Sequence, residues 1–187
     1  MAMKSDVQLN AQGLACPMPI VRTKKVMNDL VDGQVLEVQA TDKGSKADLA
    51  AWSKKMGHQF IGTIEEGDVF YHYIRKCNPE KAEATEKSFE QTIANGELEG
   101  RTGIVLDVRE AAEFAFGHVP GAKSIPFGEL EGRLNELDAS QEIYVICRTG
   151  TRSDMAAQML ADKGFAKVFN VLPGMGEWNS EIEKEVN

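Results

Sequence analysis

Apolar positions in the second half of the chain fall in short continuous runs: Ile104-Val105-Leu106-Asp107-Val108, Ile143-Tyr144-Val145-Ile146 and Val168-Phe169-Asn170-Val171. Runs of this length suit strands buried on both faces, and the stretches between them carry helical spacing, so an open parallel α/β sheet is expected. Leu130, Leu134 and Leu137 recur at helical spacing. Met155, Ala156, Met159 and Leu160 form a second apolar stripe, closed by Gly164 as a C-terminal stop.

The first half has a different rhythm. Ile20, Thr23, Met27 and Leu30 make one helix face, Val35 to Ala40 alternates as a strand, and Leu49, Trp52, Ser53 and Met56 mark a second helix. Two further strands flank the turn Glu66-Gly67-Asp68, giving the order β-α-β-α-β-β. Asn78 to Glu86 is polar with no apolar face and is expected to be a linker. The expected division is a first domain over 1–76, a linker over 77–87 and a second domain over 88–187. Ten flexible linker residues would span about 17 Å, comparable with a small domain's radius.

Composition narrows the function. The 187 residues are 42% hydrophobic, and no run approaches the roughly 18 apolar residues of a membrane span. Residues 1–76 hold 10 Lys/Arg against 9 Asp/Glu and residues 77–187 hold 11 against 20, so the balances are +1 and −9 within the total of −8. An acidic second domain disfavours direct nucleic-acid binding. Met1 to Asp6 does not have the pattern of a signal peptide, and three cysteines, an odd number without framework spacing, point to thiol chemistry in a reducing compartment, the cytoplasm by default. His58, His72 and His118 have no Cys or His companions at ligand spacing, so no metal site is expected.

Cys147 stands where an apolar run stops and a helical pattern begins, in Cys147-Arg148-Thr149-Gly150-Thr151-Arg152-Ser153. Backbone N–H groups at the head of the following helix, with two arginines, would favour a thiolate and hold an anionic substrate beside it. A buried structural thiol would not need flanking cations. Cys16 lies in Gly13-Leu14-Ala15-Cys16-Pro17-Met18-Pro19-Ile20. Pro17 suits a first helical position and Pro19 in the first turn sacrifices no hydrogen bond. Cys16 would then sit near an N-cap, where unpaired N–H groups favour a thiolate or persulfide anion. Lys24 and Lys25 read as a solvated helix face that can also dock an acidic partner, and Cys77, after Arg75-Lys76, as a bystander.

In chain order, Asp107-Val108-Arg109, Glu113-Phe114, Gly117 to Ala122, the Cys147 loop and Pro173-Gly174-Met175 before Trp178 together resemble a rhodanese domain. The resemblance implies that Cys147 is a nucleophile holding a persulfide and that Arg148, Thr149, Gly150, Thr151 and Arg152 cradle the donor's anionic group. Asp107 and Arg109 read as a structural ion pair, and His118 as a turn residue satisfied by backbone. Phosphatases and arsenate reductases of related architecture place an arginine six residues after the cysteine; here that position is Ser153 and the arginine is Arg152. The Cys-Pro-x-Pro motif and the β-α-β-α-β-β order resemble the TusA/SirA-like sulfur carriers, whose cysteine passes a persulfide to a partner.

The expected fold is thus an N-terminal two-layer β-α-β-α-β-β sandwich joined to a rhodanese-like open parallel α/β sheet with helices on both faces. The expected function is a sulfurtransferase in which Cys147 takes sulfane sulfur from thiosulfate or a low-molecular-weight persulfide and relays it through Cys16 to a protein or thiol acceptor. Thiolate attack on sulfur calls for no metal or organic cofactor. The sequence equally allows flow from Cys16 to Cys147, and two other readings stay open: a rhodanese enzyme with a non-catalytic docking module, and a phosphatase or arsenate reductase.

Overall fold

The computed structural model describes residues 3–78 and 89–186, and the chain divides into two compact units between residues 84 and 85. The linker expected over 77–87 lies almost wholly outside the described residues.

The first unit runs β1 (Val7–Asn10), α1 (Met18–Asp29), β2 (Val35–Ala40), α2 (Ser45–Lys55), β3 (Gln59–Glu66) and β4 (Val69–Arg75). Its sheet has the order β1-β2-β4-β3, with β1 and β2 parallel and the other pairs antiparallel. Leu36 and Val38, two residues apart on β2, share one face, and they join Met27 and Leu30 from the α1 end, Leu49 of α2 and Ile74 of β4 in a single buried cluster. Both helices therefore pack on that face, which makes two layers. On the other face Tyr73 donates a hydrogen bond to the buried Glu37 carboxylate at 3.1 Å. The second expected helix face is narrower than the sequence pattern: Met56 is the C-cap of α2 and is exposed, because the helix ends at Lys55.

The second unit contains β5 (Thr92–Ala94), β6 (Ile104–Asp107), α3 (Ala111–Phe116), β7 (Lys123–Ser124), α4 (Phe127–Leu130), β8 (Ile143–Ile146), α5 (Thr151–Asp162) and β9 (Val168–Leu172). The five strands pair in parallel in the order β5-β9-β8-β6-β7. Along central β8, Ile143 and Val145 point into one cluster with Leu130, Ala156 and Leu160, while Tyr144 and Ile146 point into another with Ile93 and Val171. A strand buried on both sides explains the continuous apolar run. Beyond α5, Gly164 adopts φ +93°, its N–H donates to the Ala161 carbonyl at 3.0 Å, and Phe165 N–H reaches the Leu160 carbonyl at 3.1 Å, closing the helix as its glycine implies.

The leucine spacing over 130–137 does not make one α-helix. Leu130 ends α4, and Glu131 to Glu136 continues as a 3-10 turn broken at Arg133, where φ is −123°. Leu130 and Leu137 are still buried. Among the described residues no helix is long and apolar enough to cross a membrane.

Candidate functional site

Cys147 follows the last residue of β8 and precedes α5 by three residues, the strand-end position at which α/β sheets present their chemistry. Gly150, with φ +87°, turns the loop so that its own N–H donates to Cys147 Sγ at 3.1 Å. Ser153, in the first turn of α5, donates its hydroxyl to the same sulfur at 3.3 Å. Two hydrogens aimed at one sulfur are an arrangement that holds a sulfur anion. The residue is only 1% exposed, so a reacting group must present a slim terminal atom at the loop mouth.

The loop is clamped from several non-local elements. Met175 N–H donates to the Cys147 carbonyl and Gly176 N–H to the Arg148 carbonyl, both at 2.8 Å. Gly174 lies so close that a β-carbon there would be 2.4 Å from the Cys147 carbonyl oxygen, which leaves glycine as the residue that fits. Asn95 holds Gly174 by its N–H (3.1 Å) and its carbonyl (2.9 Å), while buried Asn170 donates to the Gly150 carbonyl at 3.3 Å.

Of the expected cradle, Gly150 contacts the sulfur directly, Arg148 and Thr149 are exposed at the rim, and Thr151 is half-buried as the first residue of α5. Arg152 has turned away to other partners. Its guanidinium forks onto Glu113 at 2.7 and 2.9 Å, and Glu110 lies 4.0 Å off. Burial opposes its charge, yet Glu113 outweighs that cost, with help from Cys147 and Glu110, and holds the guanidinium ionised. Glu113, 3% exposed, also accepts the Glu110 N–H at 3.0 Å and so secures the start of α3. The Asp107–Arg109 pair is a buried ion pair at 2.6 Å, and His118 Nδ1 meets the Phe114 carbonyl at 2.9 Å, as their sequence positions imply.

Cys16 is exposed, in the turn between β1 and α1. Helix α1 begins at Met18: the Pro17 carbonyl accepts the Val21 N–H at 3.1 Å, which makes Pro17 the N-cap and not the first helical residue, and the Cys16-Pro17 bond is cis. Cys16 thus sits one residue before the cap. The expectation that the helix end favours its thiolate is corrected by the neighbouring acids. A hydrogen bond to the Asp48 carboxylate, then slight burial, then the charges of Asp48 and Asp42 hold the Cys16 thiol above its ordinary value. Both carboxylates converge on Gly44, with oxygens 3.2 Å (Asp42) and 3.6 Å (Asp48) from where its β-carbon would be. Cys77 is half-buried and its sulfur accepts a hydrogen bond from Arg75 Nη1 at 3.4 Å.

Sequence reasoning passed over Ser153 as a hydrogen-bond donor to Cys147 Sγ, Glu113 as the partner of Arg152, and Asp48. Ser153 was open to recognition, since a helix starting at Thr151 carries its third residue back over the loop; Glu113 and Asp48 reach their cysteine sites only through folding.

Residues 7–76 match the family Sulfurtransferase TusA and residues 85–181 match the family Rhodanese-like domain. YrkF of Bacillus subtilis, whose name designates it a candidate sulfur carrier, is 47% identical over 188 aligned residues, covering 97% of this chain and 100% of its own. YrkI of the same organism, similarly designated, is 62% identical over 74 residues, 40% of this chain and 99% of its own. The crystal structure of a rhodanese-like domain protein from Staphylococcus aureus superposes with a TM-score of 0.47 at 31% identity, covering 50% of this chain and 97% of that one. The chain belongs to the sulfur-transfer proteins in which a TusA domain precedes a rhodanese-like domain.

Proposed function

We propose that Cys147 accepts sulfane sulfur from a small donor as a persulfide and relays it to Cys16, which delivers it to a thiol or protein acceptor. The observation that carries this reading is the pair of donors, Gly150 N–H and Ser153 hydroxyl, converging on Cys147 Sγ. Cys147 thiolate attacks the outer sulfur of thiosulfate or of an alkyl persulfide; the donor's S–S bond breaks and sulfite or an alkyl thiolate leaves with the electron pair. Cys16 then attacks the outer sulfur of the Cys147 persulfide, and Cys147 thiolate is the leaving group. Cys16 must first lose its proton, and the Asp48 carboxylate, whose influence holds that proton on the thiol, is the neighbouring base to receive it. The exposure of Cys16 suits delivery to a macromolecular acceptor. Three free cysteines fit a reducing compartment, the cytoplasm.

The test is peptide mass spectrometry after brief exposure to thiosulfate or glutathione persulfide, comparing wild type with Cys147→Ser and Cys16→Ser. A one-sulfur mass increase is expected on both cysteines of the wild type, and it should disappear from Cys16 when Cys147 is removed. Labelling of Cys147 alone would instead make the first unit a docking module. Turnover of an aryl phosphate or arsenate with no sulfur uptake would overturn the assignment to sulfur transfer.

A further inference from the structure

The charges around the Cys147 loop nearly cancel before the sulfur itself carries one. Arg152 is committed to Glu113 through two short contacts, with Glu110 at 4.0 Å, and its side chain is only 14% exposed. Arg109 is likewise committed to Asp107. Arg148 is left exposed at the rim, where its single charge offsets the surplus carboxylate of Glu110, and Asp154, buried in the first turn of α5 with its carboxylate accepting the Phe89 N–H at 3.0 Å, adds no positive charge. In sequence terms, residues 77–187 as a whole carry 20 Asp/Glu against 11 Lys/Arg. A dianionic donor therefore approaches a thiolate through a field without a net positive charge to receive it. The burial of Sγ adds that the sulfur delivered must be terminal and slim.

We infer that, among the small donors, Cys147 takes sulfur fastest from a persulfide on an uncharged or cationic carrier group, and that Glu113, by occupying Arg152, is the positioning residue that slows dianionic donors. This rests on the reading of Cys147 as the sulfur acceptor. The transfer balances without an outside oxidant or reductant. Cys147–S⁻ and R–S–SH give Cys147–S–SH and R–S⁻; one S–S bond forms, one breaks, and the carrier thiolate departs with the electron pair. The persulfide proton stays on the transferred sulfur or passes to solvent.

Two alkyl persulfides of opposite charge are compared, cysteamine persulfide, a cation, and mercaptosuccinate persulfide, a dianion, each rate being divided by that of the same donor with a small neutral thiol so that their different leaving-group pKa values cancel. Single-turnover sulfur loading of Cys147 in the full chain is expected to favour the cation by about tenfold or more at low ionic strength, with the gap closing as salt is raised. Glu113→Gln frees Arg152 to meet an anion, so it should narrow the ratio by raising the dianion's rate, whereas a purely structural role would slow both donors alike. Should that variant fail to fold, Glu110→Gln, at a less buried carboxylate, is expected to shift the ratio in the same direction. Equal or faster loading from the dianion in wild type overturns the inference, as does an unchanged ratio in a folded Glu113→Gln protein. No loading of Cys147 from either persulfide would instead sink the sulfur-acceptor reading on which the inference stands.

Discussion

Ser153 and Asp48 are the single side chains that most distinguish the surroundings of the two cysteines. The Ser153 hydroxyl adds a second hydrogen to Cys147 Sγ beside the Gly150 N–H. A hydrogen bond to a charged group is worth about 1.5–3 kcal/mol, so Ser153→Ala is expected to slow sulfur loading of Cys147 by roughly ten- to a hundredfold while leaving thermal unfolding almost unchanged. Rapid-quench labelling and a melting curve on the same sample check both halves. At Cys16 the carboxylate of Asp48 accepts the thiol's hydrogen and the charges of Asp48 and Asp42 oppose ionisation. Raising a thiol's pKa shrinks the thiolate fraction at neutral pH, so Asp48→Asn should move the midpoint of Cys16 alkylation by iodoacetamide to lower pH. A profile that stays in place in this variant would remove Asp48 from the account.

At the level of elements, the loop after β8 depends on the segment that follows β9. Gly174 has φ +98° and would place a β-carbon 2.4 Å from the Cys147 carbonyl oxygen, and Gly176 would place one 2.9 Å from that of Arg148. Gly174→Ala thus meets both backbone strain and a backbone clash, and is expected to cost about 3 kcal/mol of stability and to displace the cysteine loop. Denaturant unfolding monitored at Trp178, together with Cys147 loading, reads both effects. Helix α5 illustrates the converse case. Its closing turn at Gly164 is local, made by hydrogen bonds to Leu160 and Ala161, and needs nothing from the rest of the sheet.

For the whole molecule, the first unit carries a pH dependence of its own. His72 is fully buried on β4 between the Ser45 hydroxyl at 2.8 Å and the Thr63 hydroxyl at 2.9 Å, and burial, then Lys46, pushes its pKa from 6.5 down to about 4. Because the unfolded chain takes up that proton first, stability is fully present above pH 6.5 and is lost as the pH falls towards 4. The loss should reach about 3 kcal/mol in wild type, and His72→Gln should abolish most of the slope in urea titrations across that window. Joining the two units in one chain supplies an effective concentration in the millimolar range when the geometry permits contact. A protease site engineered within residues 79–88 tests this: after cleavage, sulfur transfer from Cys147 to Cys16 should become concentration-dependent and slower at micromolar protein.

Much was legible before folding. The continuous runs at Ile104 and Ile143 announced a sheet buried on both faces, and the alternation over Val35 to Ala40 with two helical stripes announced the smaller two-layer unit, because strand and helix periods are local properties of the chain. The thiol at the end of an apolar run marked Cys147, and the Cys-Pro-x-Pro turn marked Cys16. Helical spacing misled over Leu130 to Leu137, where the chain satisfies burial through a short helix and a 3-10 turn. Charge was the least readable property. Arg152 looked like a free cation two residues from Gly150 until Glu113, thirty-nine positions away in the chain, closed on it. Cys16 likewise looked like a helix-end thiolate until α2 brought Asp48 to it. The sequence by itself determined most of the elements and which two sulfurs stand at their ends; only the tertiary structure decided the electrostatic partner of each group, because a charge acts through space on whatever the fold places within a few ångströms, irrespective of chain distance.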